Sequence, residues 1–141
     1  MAQFLMILAV TLPGLVPVAE GEATRYNPGI MPQVVENRVK WGHIDLDVPH
    51  FGYVALSDKG YIGERAWIEW PDGRLTGPYL VADCGARHDL PALDAKGFAV
   101  DLSWELAVQF GVIDAPLSGV AIYIEEGGFF SKLYQQNRSM K

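Results

Sequence analysis

The segment RAWIEWPDGRLTGPYLVA, residues 65–82, decides the fold class. Its first part, Arg65–Trp70, alternates in the manner of a half-buried strand, and Leu75–Ala82 is a second apolar run. Between them lies Pro-Asp-Gly at 71–73, a turn signal with proline at the first central position. The sequence therefore predicts a β-hairpin at the centre of the chain.

Further strand patterns flank this hairpin on both sides. They lie at Glu22–Tyr26, Phe51–Leu56, Ala99–Asp101 and Gly119–Ile124. Residues 30–49 are rich in turn formers and predict a long surface loop with one short strand around Val34–Val39. Several short strands bounded by turns are typical of a small barrel.

One helix is predicted after the strand that ends at Asp101. Ser103 is suited to cap its N-terminus, Glu105 lies in the first turn, and Gly111 ends it. A helix of about seven residues does not survive alone, so this one is expected to pack on the sheet.

Length and composition indicate one ordinary domain of a mostly-β protein. The chain has 141 residues, of which 50% are hydrophobic and 20% charged, with 15 glycines and nine prolines. The formal net charge of −6 and the scattered basic residues argue against a nucleic-acid or anionic-membrane partner, since such partners favour clustered Lys and Arg.

The N-terminal apolar run, Phe4–Val18, predicts an export signal. It is short for a membrane span and fits the apolar region of a signal peptide, with small residues for cleavage at Ala19 and Gly21 or at Gly21 and Ala23. A retained apolar arm and an N-terminal strand are the alternatives. We expect a secreted or periplasmic protein with residues 1–20 as the signal, 21–125 as the barrel and 126–141 as a peripheral extension.

Cys84 is the only cysteine, so it cannot close an intramolecular disulfide. A small buried apolar side chain is its simplest role. A nucleophilic thiol assisted by His88, four residues later, is a second possibility. The three histidines lack metal-ligand spacing, although His88 with Asp83 and Asp89 leaves a zinc site open.

Five short motifs, in order, resemble the rare lipoprotein A-like and three-aspartate (3D) domains of the double-psi β-barrel superfamily, which also includes expansins. They are GEATRYNPG at 21–29, VAL at 54–56 with GYIG at 60–63, VADCG at 81–85, AVDLS at 99–103 with its following helix, and GVAIYI at 119–124. The resemblance covers about residues 21–125. It implies a six-stranded double-psi β-barrel with one or two short helices.

This resemblance implies that Asp101 is the catalytic aspartate of a lytic transglycosylase and that Asp83 assists it. The alternative roles are helix capping for Asp101 and a turn position for Asp83. The sequence departs from the family pattern where a histidine is expected, near Leu56, and in an acidic pair for which Asp45 and Asp47 are possible stand-ins.

Four further residues are predicted to bind substrate. Strict alternation would turn Trp67 or Trp70 outward, where an indole can stack on a sugar, although a core position is the commoner fate. Arg87, like Lys96, lies between the two acids and is suited to meet a substrate carboxylate, or is simply solvated. Tyr26 belongs to the opening motif of the resemblance.

Two functions follow from these features. The first is an exported enzyme that cleaves peptidoglycan with an aspartate general acid/base and needs no metal or organic cofactor. The second is a non-catalytic, expansin-like barrel that binds wall polysaccharide or serves as a structural module of a surface or virion assembly. A cysteine hydrolase using Cys84 is a minor third hypothesis.

Overall fold

Six strands form a closed barrel in the computed structural model, which describes residues 14–84 and 97–125. The strands are β1 (Leu15–Arg25), β2 (Tyr53–Leu56), β3 (Arg65–Glu69), β4 (Leu75–Cys84), β5 (Phe98–Leu102) and β6 (Leu117–Glu125). Around the barrel their order is β1-β5-β2-β4-β3-β6. The β1/β5 and β2/β4 pairs are parallel, and the other four pairs are antiparallel. The predicted fold class is confirmed, and this arrangement is compatible with the double-psi topology.

The barrel interior is filled by apolar side chains from all six strands. One continuous core includes four residues with 0% exposed surface: Val54, Ile68, Leu102 and Ile122. Complete burial of such side chains is the main source of stability in a domain of this size. Each of the six described strands pairs with a neighbour on both sides, as a closed barrel requires.

The predicted hairpin is confirmed in detail. The Gly73 amide donates to the Trp70 carbonyl at 2.8 Å, and the Trp70 amide donates to the Arg74 carbonyl at 2.8 Å. Gly73 adopts a left-handed conformation with φ of 91°, which a glycine permits without steric cost. The turn therefore joins β3 to β4 with proline at its first central position, as the sequence predicts.

Residues 30–40 form a helix, α1 (Ile30–Lys40), where the sequence predicted a loop with a strand around Val34–Val39. That prediction was wrong. Pro32 lies in the first turn, where its missing N–H has no helical partner to lose, so it does not break the helix. Met31 and Val35, four residues apart, share one buried face that packs on Leu80 and Ala82 of β4.

The second helix, α2 (Trp104–Phe110), confirms the prediction made from its cap residues. The Ser103 hydroxyl accepts a hydrogen bond from the Leu106 amide at 3.3 Å, and Gly111 ends the helix with φ of 74°. Leu106 and Ala107 are buried against the barrel. Among the described residues, neither helix has the length and apolarity required to cross a membrane.

Strand β1 extends across the predicted boundary at residue 21. Its first half, from Leu15 to Gly21, pairs with β6, and its second half, from Ala23 to Arg25, runs parallel to β5. At Gly21 the chain changes partner, and a Cβ there would lie 1.6 Å from the carbonyl oxygen of Gly97. Part of the apolar segment is thus a barrel strand.

Candidate functional site

Asp83 and Asp101 are brought to neighbouring positions by the barrel register. Ala55 of β2 is the partner of Asp83 on one side and of Asp101 on the other. The two aspartates are therefore two strand spacings apart, roughly 10 Å between Cα atoms. Directly paired residues project from the same face of a sheet, so both carboxyl groups lie on one face with only a small side chain between them.

Asp101 lies in a partly buried site at the β1/β5 pair. Thr24, its partner on β1, donates a hydroxyl hydrogen bond to Oδ1 at 3.1 Å. Burial raises the pKa of Asp101 to about 7; the charge of Asp83 also raises it, whereas the Thr24 hydrogen bond and Arg25 oppose the rise. A carboxyl group that keeps its proton near neutral pH is suited to act as a general acid.

Asp83 has both oxygens engaged by hydrogen-bond donors. Arg38 of α1 donates from Nη2 to Oδ1 at 2.8 Å, and the Tyr26 hydroxyl donates to Oδ2 at 2.7 Å. Burial, and then the hydrogen bond and charge of Asp83, raise the pKa of Tyr26 far above its usual range, so Tyr26 stays a donor. Asp83 is thus held as an acceptor, whereas Asp101 can supply a proton.

Within the described part of the chain, two grooves are lined by residues that contact these aspartates. The first, of about 300 Å³, is lined by Thr24, Arg25, Asn27 and residues 112–116, and it reaches Asp101 through Thr24. Arg25 forms one of its walls, donating to the Ile113 carbonyl at 2.8 Å and lying 5.1 Å from the centre of the Trp104 ring.

The second groove, of about 470 Å³, reaches Asp83 through Arg38. Its other lining residues are His43, Lys59, Gly60 and Ile62. The aspartate pair therefore lies between an open groove on the Thr24 side and a basic groove on the Arg38 side.

The two predicted tryptophans lie elsewhere. Trp70 is 3% exposed, stacks on Phe110 at 4.2 Å and donates to Thr76, so neither face of its ring is open to a sugar. Trp67 is partly buried and donates to Glu125 of β6, on the side of β3 away from β4. A register shift between residues 66 and 68 breaks the alternation on which the prediction for this strand depended.

The remaining predicted residues divide between described and undescribed parts of the chain. Arg87 and Lys96, as well as the zinc and nucleophile partners His88 and Asp89, lie outside the described residues. Cys84 is a free thiol of intermediate exposure at the end of β4. Over residues 14–84 and 97–125, no group of three His, Cys, Asp or Glu side chains is placed to hold a metal ion.

Sequence reasoning missed Thr24 and Arg38, which contact the two aspartates. Thr24 had a usable signal, because it alternates with Tyr26 along the predicted strand Glu22–Tyr26. No sequence signal pointed to Arg38, because residues 30–49 were predicted to form a surface loop. Asp45 and Asp47 lie in an exposed turn in which the Asp47 amide donates to Asp45 at 2.9 Å.

The site combines a partly buried carboxyl group whose pKa is raised to about 7 with a second aspartate held by Arg38 and Tyr26, and two grooves are lined by residues that contact this pair. Both aspartates identified from sequence belong to it, together with Tyr26. No protein-family model, curated protein or solved structure matches the chain. The geometry of the site is therefore the basis for assigning its chemistry.

Proposed function

We propose that the protein is an exported, lytic transglycosylase-like enzyme that cleaves the β-1,4 linkage of peptidoglycan, with Asp101 as general acid/base. The observation that carries this proposal is the burial of Asp101 near a second aspartate, which raises its pKa to about 7. Cleavage of a glycosidic bond requires protonation of the leaving oxygen, and a carboxyl group that is protonated near neutral pH supplies it.

The proposed reaction uses one group twice. Asp101 donates its proton to the glycosidic oxygen as the bond from that oxygen to C1 breaks. The resulting carboxylate then accepts the proton of the sugar's own C6 hydroxyl, whose oxygen forms the new bond to C1. The product is a 1,6-anhydro sugar, and the proton returned to Asp101 restores its initial state.

Asp83 has a different role in this proposal. Its charge raises the pKa of Asp101 and so keeps the acid protonated, and the same charge stabilises positive charge that develops at C1 in the transition state. Arg38 and Tyr26 fix its two oxygens, which removes the cost of orienting it during the reaction. In this proposal the glycan occupies the groove on the Thr24 side, because Thr24 lines that groove and donates to Asp101.

A non-catalytic barrel that binds wall polysaccharide is the second candidate. The observation in its favour is that Asp83 already has both oxygens engaged by Arg38 and Tyr26, as in a structural ion pair. This candidate requires the same surface but no proton transfer.

Digestion of purified sacculi separates the two candidates. The wild type is expected to release anhydro-muropeptides, detected by mass spectrometry, and Asp101→Ala is expected to release none. Reducing-end products instead would indicate a hydrolase. If neither protein releases products but both pellet with the sacculi, the enzymatic proposal is wrong and the binding candidate is favoured.

A further inference from the structure

We propose that the basic groove is a subsite for a carboxylate-bearing saccharide, with Trp41 as the platform for the sugar ring. The basic groove is the space of about 470 Å³ lined by Arg38, His43, Lys59, Gly60 and Ile62. The subsite depends on the proposed function only in the choice of sacculi as the test polymer, because the side chains that line the groove are themselves the evidence for it.

Among the described residues, each polar side chain that lines the basic groove presents a donor. An arginine has no acceptor, so the 2.9 Å contact between Arg38 Nη1 and His43 Nδ1 requires that Nδ1 accept. The proton of a neutral His43 therefore sits on Nε2, which is left to donate. Lys59 makes no ion pair with any of the described residues. A ligand that fits this set is an acceptor with negative charge.

Trp41 supplies an apolar surface beside these donors. Its side chain is 59% exposed, its ring centre lies 5.7 Å from that of His43, and the Arg38 guanidinium lies 6.0 Å from it. Trp41 is not itself a lining residue, but it lies beside two that are, and an exposed indole can cover the apolar face of a sugar ring. The aromatic platform predicted for Trp67 or Trp70 is thus available at a different residue.

Two acidic side chains limit the positive charge of the groove. Asp58 accepts from the Gly60 amide at 2.8 Å, and Asp83 accepts from Arg38. Because Arg38 is already paired, Lys59 carries the larger share of the uncompensated charge. Arg38 also connects the groove to Asp83 through its 2.8 Å hydrogen bond to Oδ1.

The test measures binding to sacculi by a chain that carries Asp101→Ala, so that no polymer is degraded. Lys59→Gln is expected to weaken binding about 3- to 10-fold, as the loss of one charge-assisted contact does. Trp41→Ala is expected to weaken it roughly tenfold through loss of ring stacking. Conversion of the sacculus carboxyl groups to amides should weaken binding of the parent and leave Lys59→Gln nearly unchanged.

Matched controls use the same chemistry away from the groove. Arg74→Gln removes one exposed positive charge at the far end of β4, about 30 Å from Asp83 at the rise of an extended strand. Phe51→Ala removes a different aromatic residue that is 72% exposed, whereas Trp41 is the one that lies beside Arg38 and His43. Both controls are expected to bind like the parent. Circular dichroism establishes that each variant is folded.

The outcomes separate this inference from the proposed function. Parent-like binding by Lys59→Gln and Trp41→Ala, binding that is insensitive to amidation, equal weakening by Arg74→Gln, or no binding at all would overturn the subsite. If wild type releases no anhydro-muropeptides but the chain still binds in a manner that depends on Lys59 and Trp41, the enzymatic proposal fails and the subsite stands.

Discussion

Asp101→Asn should stabilise the protein increasingly as pH rises. The folded pKa of about 7 lies above the value of 3.8 for an unperturbed aspartate, so the folded state binds the proton more tightly. The contribution of the Asp101 carboxyl group to the free energy of unfolding is fully present below pH 4 and is lost as pH rises through 7. Asparagine keeps an acceptor for the Thr24 hydroxyl but never ionises. The variant therefore avoids the cost of burying a charged carboxylate at high pH.

The expected size follows from the pH interval. Each unit of pH between the two pKa values changes the free energy of unfolding by about 1.4 kcal/mol, so the advantage of Asn over Asp should grow by roughly 3 kcal/mol from pH 5 to pH 8.5. For a domain of this size, that difference corresponds to roughly 10 °C in Tm. Above pH 8 the difference should become constant.

Urea unfolding of wild type and Asp101→Asn, followed by circular dichroism at pH 5, 6, 7 and 8.5, measures this difference. Asp72→Asn is the matched control, because the Arg74 amide and side chain hold the pKa of the exposed Asp72 below its usual range and it stays ionised throughout. Its difference from wild type should not vary with pH. A pH-independent difference for Asp101→Asn, or one that falls as pH rises, would refute the buried-acid interpretation of the site.

Three further perturbations test the fold and the coupling of the site. Met31→Ala should cost about 2–4 kcal/mol in urea unfolding because its side chain is 1% exposed beneath α1, whereas a cost near zero would mean that α1 does not pack there. A chain that begins at Glu22 loses six of the seven β1 residues paired with β6 and should show a lower Tm; an unchanged Tm would contradict the closed barrel. Asp83→Asn should lower the pKa of Asp101, seen as a downward shift of its carbon chemical-shift titration by NMR, and an upward shift would contradict the like-charge coupling.

The barrel strands were predictable because their signals are local. The proline turn at 71–73 and the cap residues Ser103 and Gly111 fix chain reversals and helix ends within a few residues. By contrast, α1 was missed because Pro32 and the turn formers before it are common both in loops and in the first turn of a helix. Only its packing on Leu80, 49 positions after Met31, distinguishes the two.

The candidate site was half predictable for the same reason. Asp83 and Asp101 each stand at the end of a recognisable strand, and their approach follows once both strands pair with β2 at Ala55. Whether the Trp70 side chain is buried or faces outward depended on a register shift in β3, and the alternation of a single strand cannot reveal such a shift. Contacts made from α1 could not be predicted without the helix itself.

The chemistry of the site depends on α1, which contributes no strand to the barrel. The pKa of Asp101 rises chiefly by burial and then through the charge of Asp83, and Arg38 of α1 forms an ion pair with Asp83. Removing Arg38 would leave Asp83 without its positive partner and strengthen its effect on Asp101. Occupation of the basic groove by a carboxylate acts in the same direction, because it competes for the Arg38 guanidinium. A bound anionic glycan would therefore help to keep Asp101 protonated, and it would link substrate binding to the acid that the proposed cleavage requires.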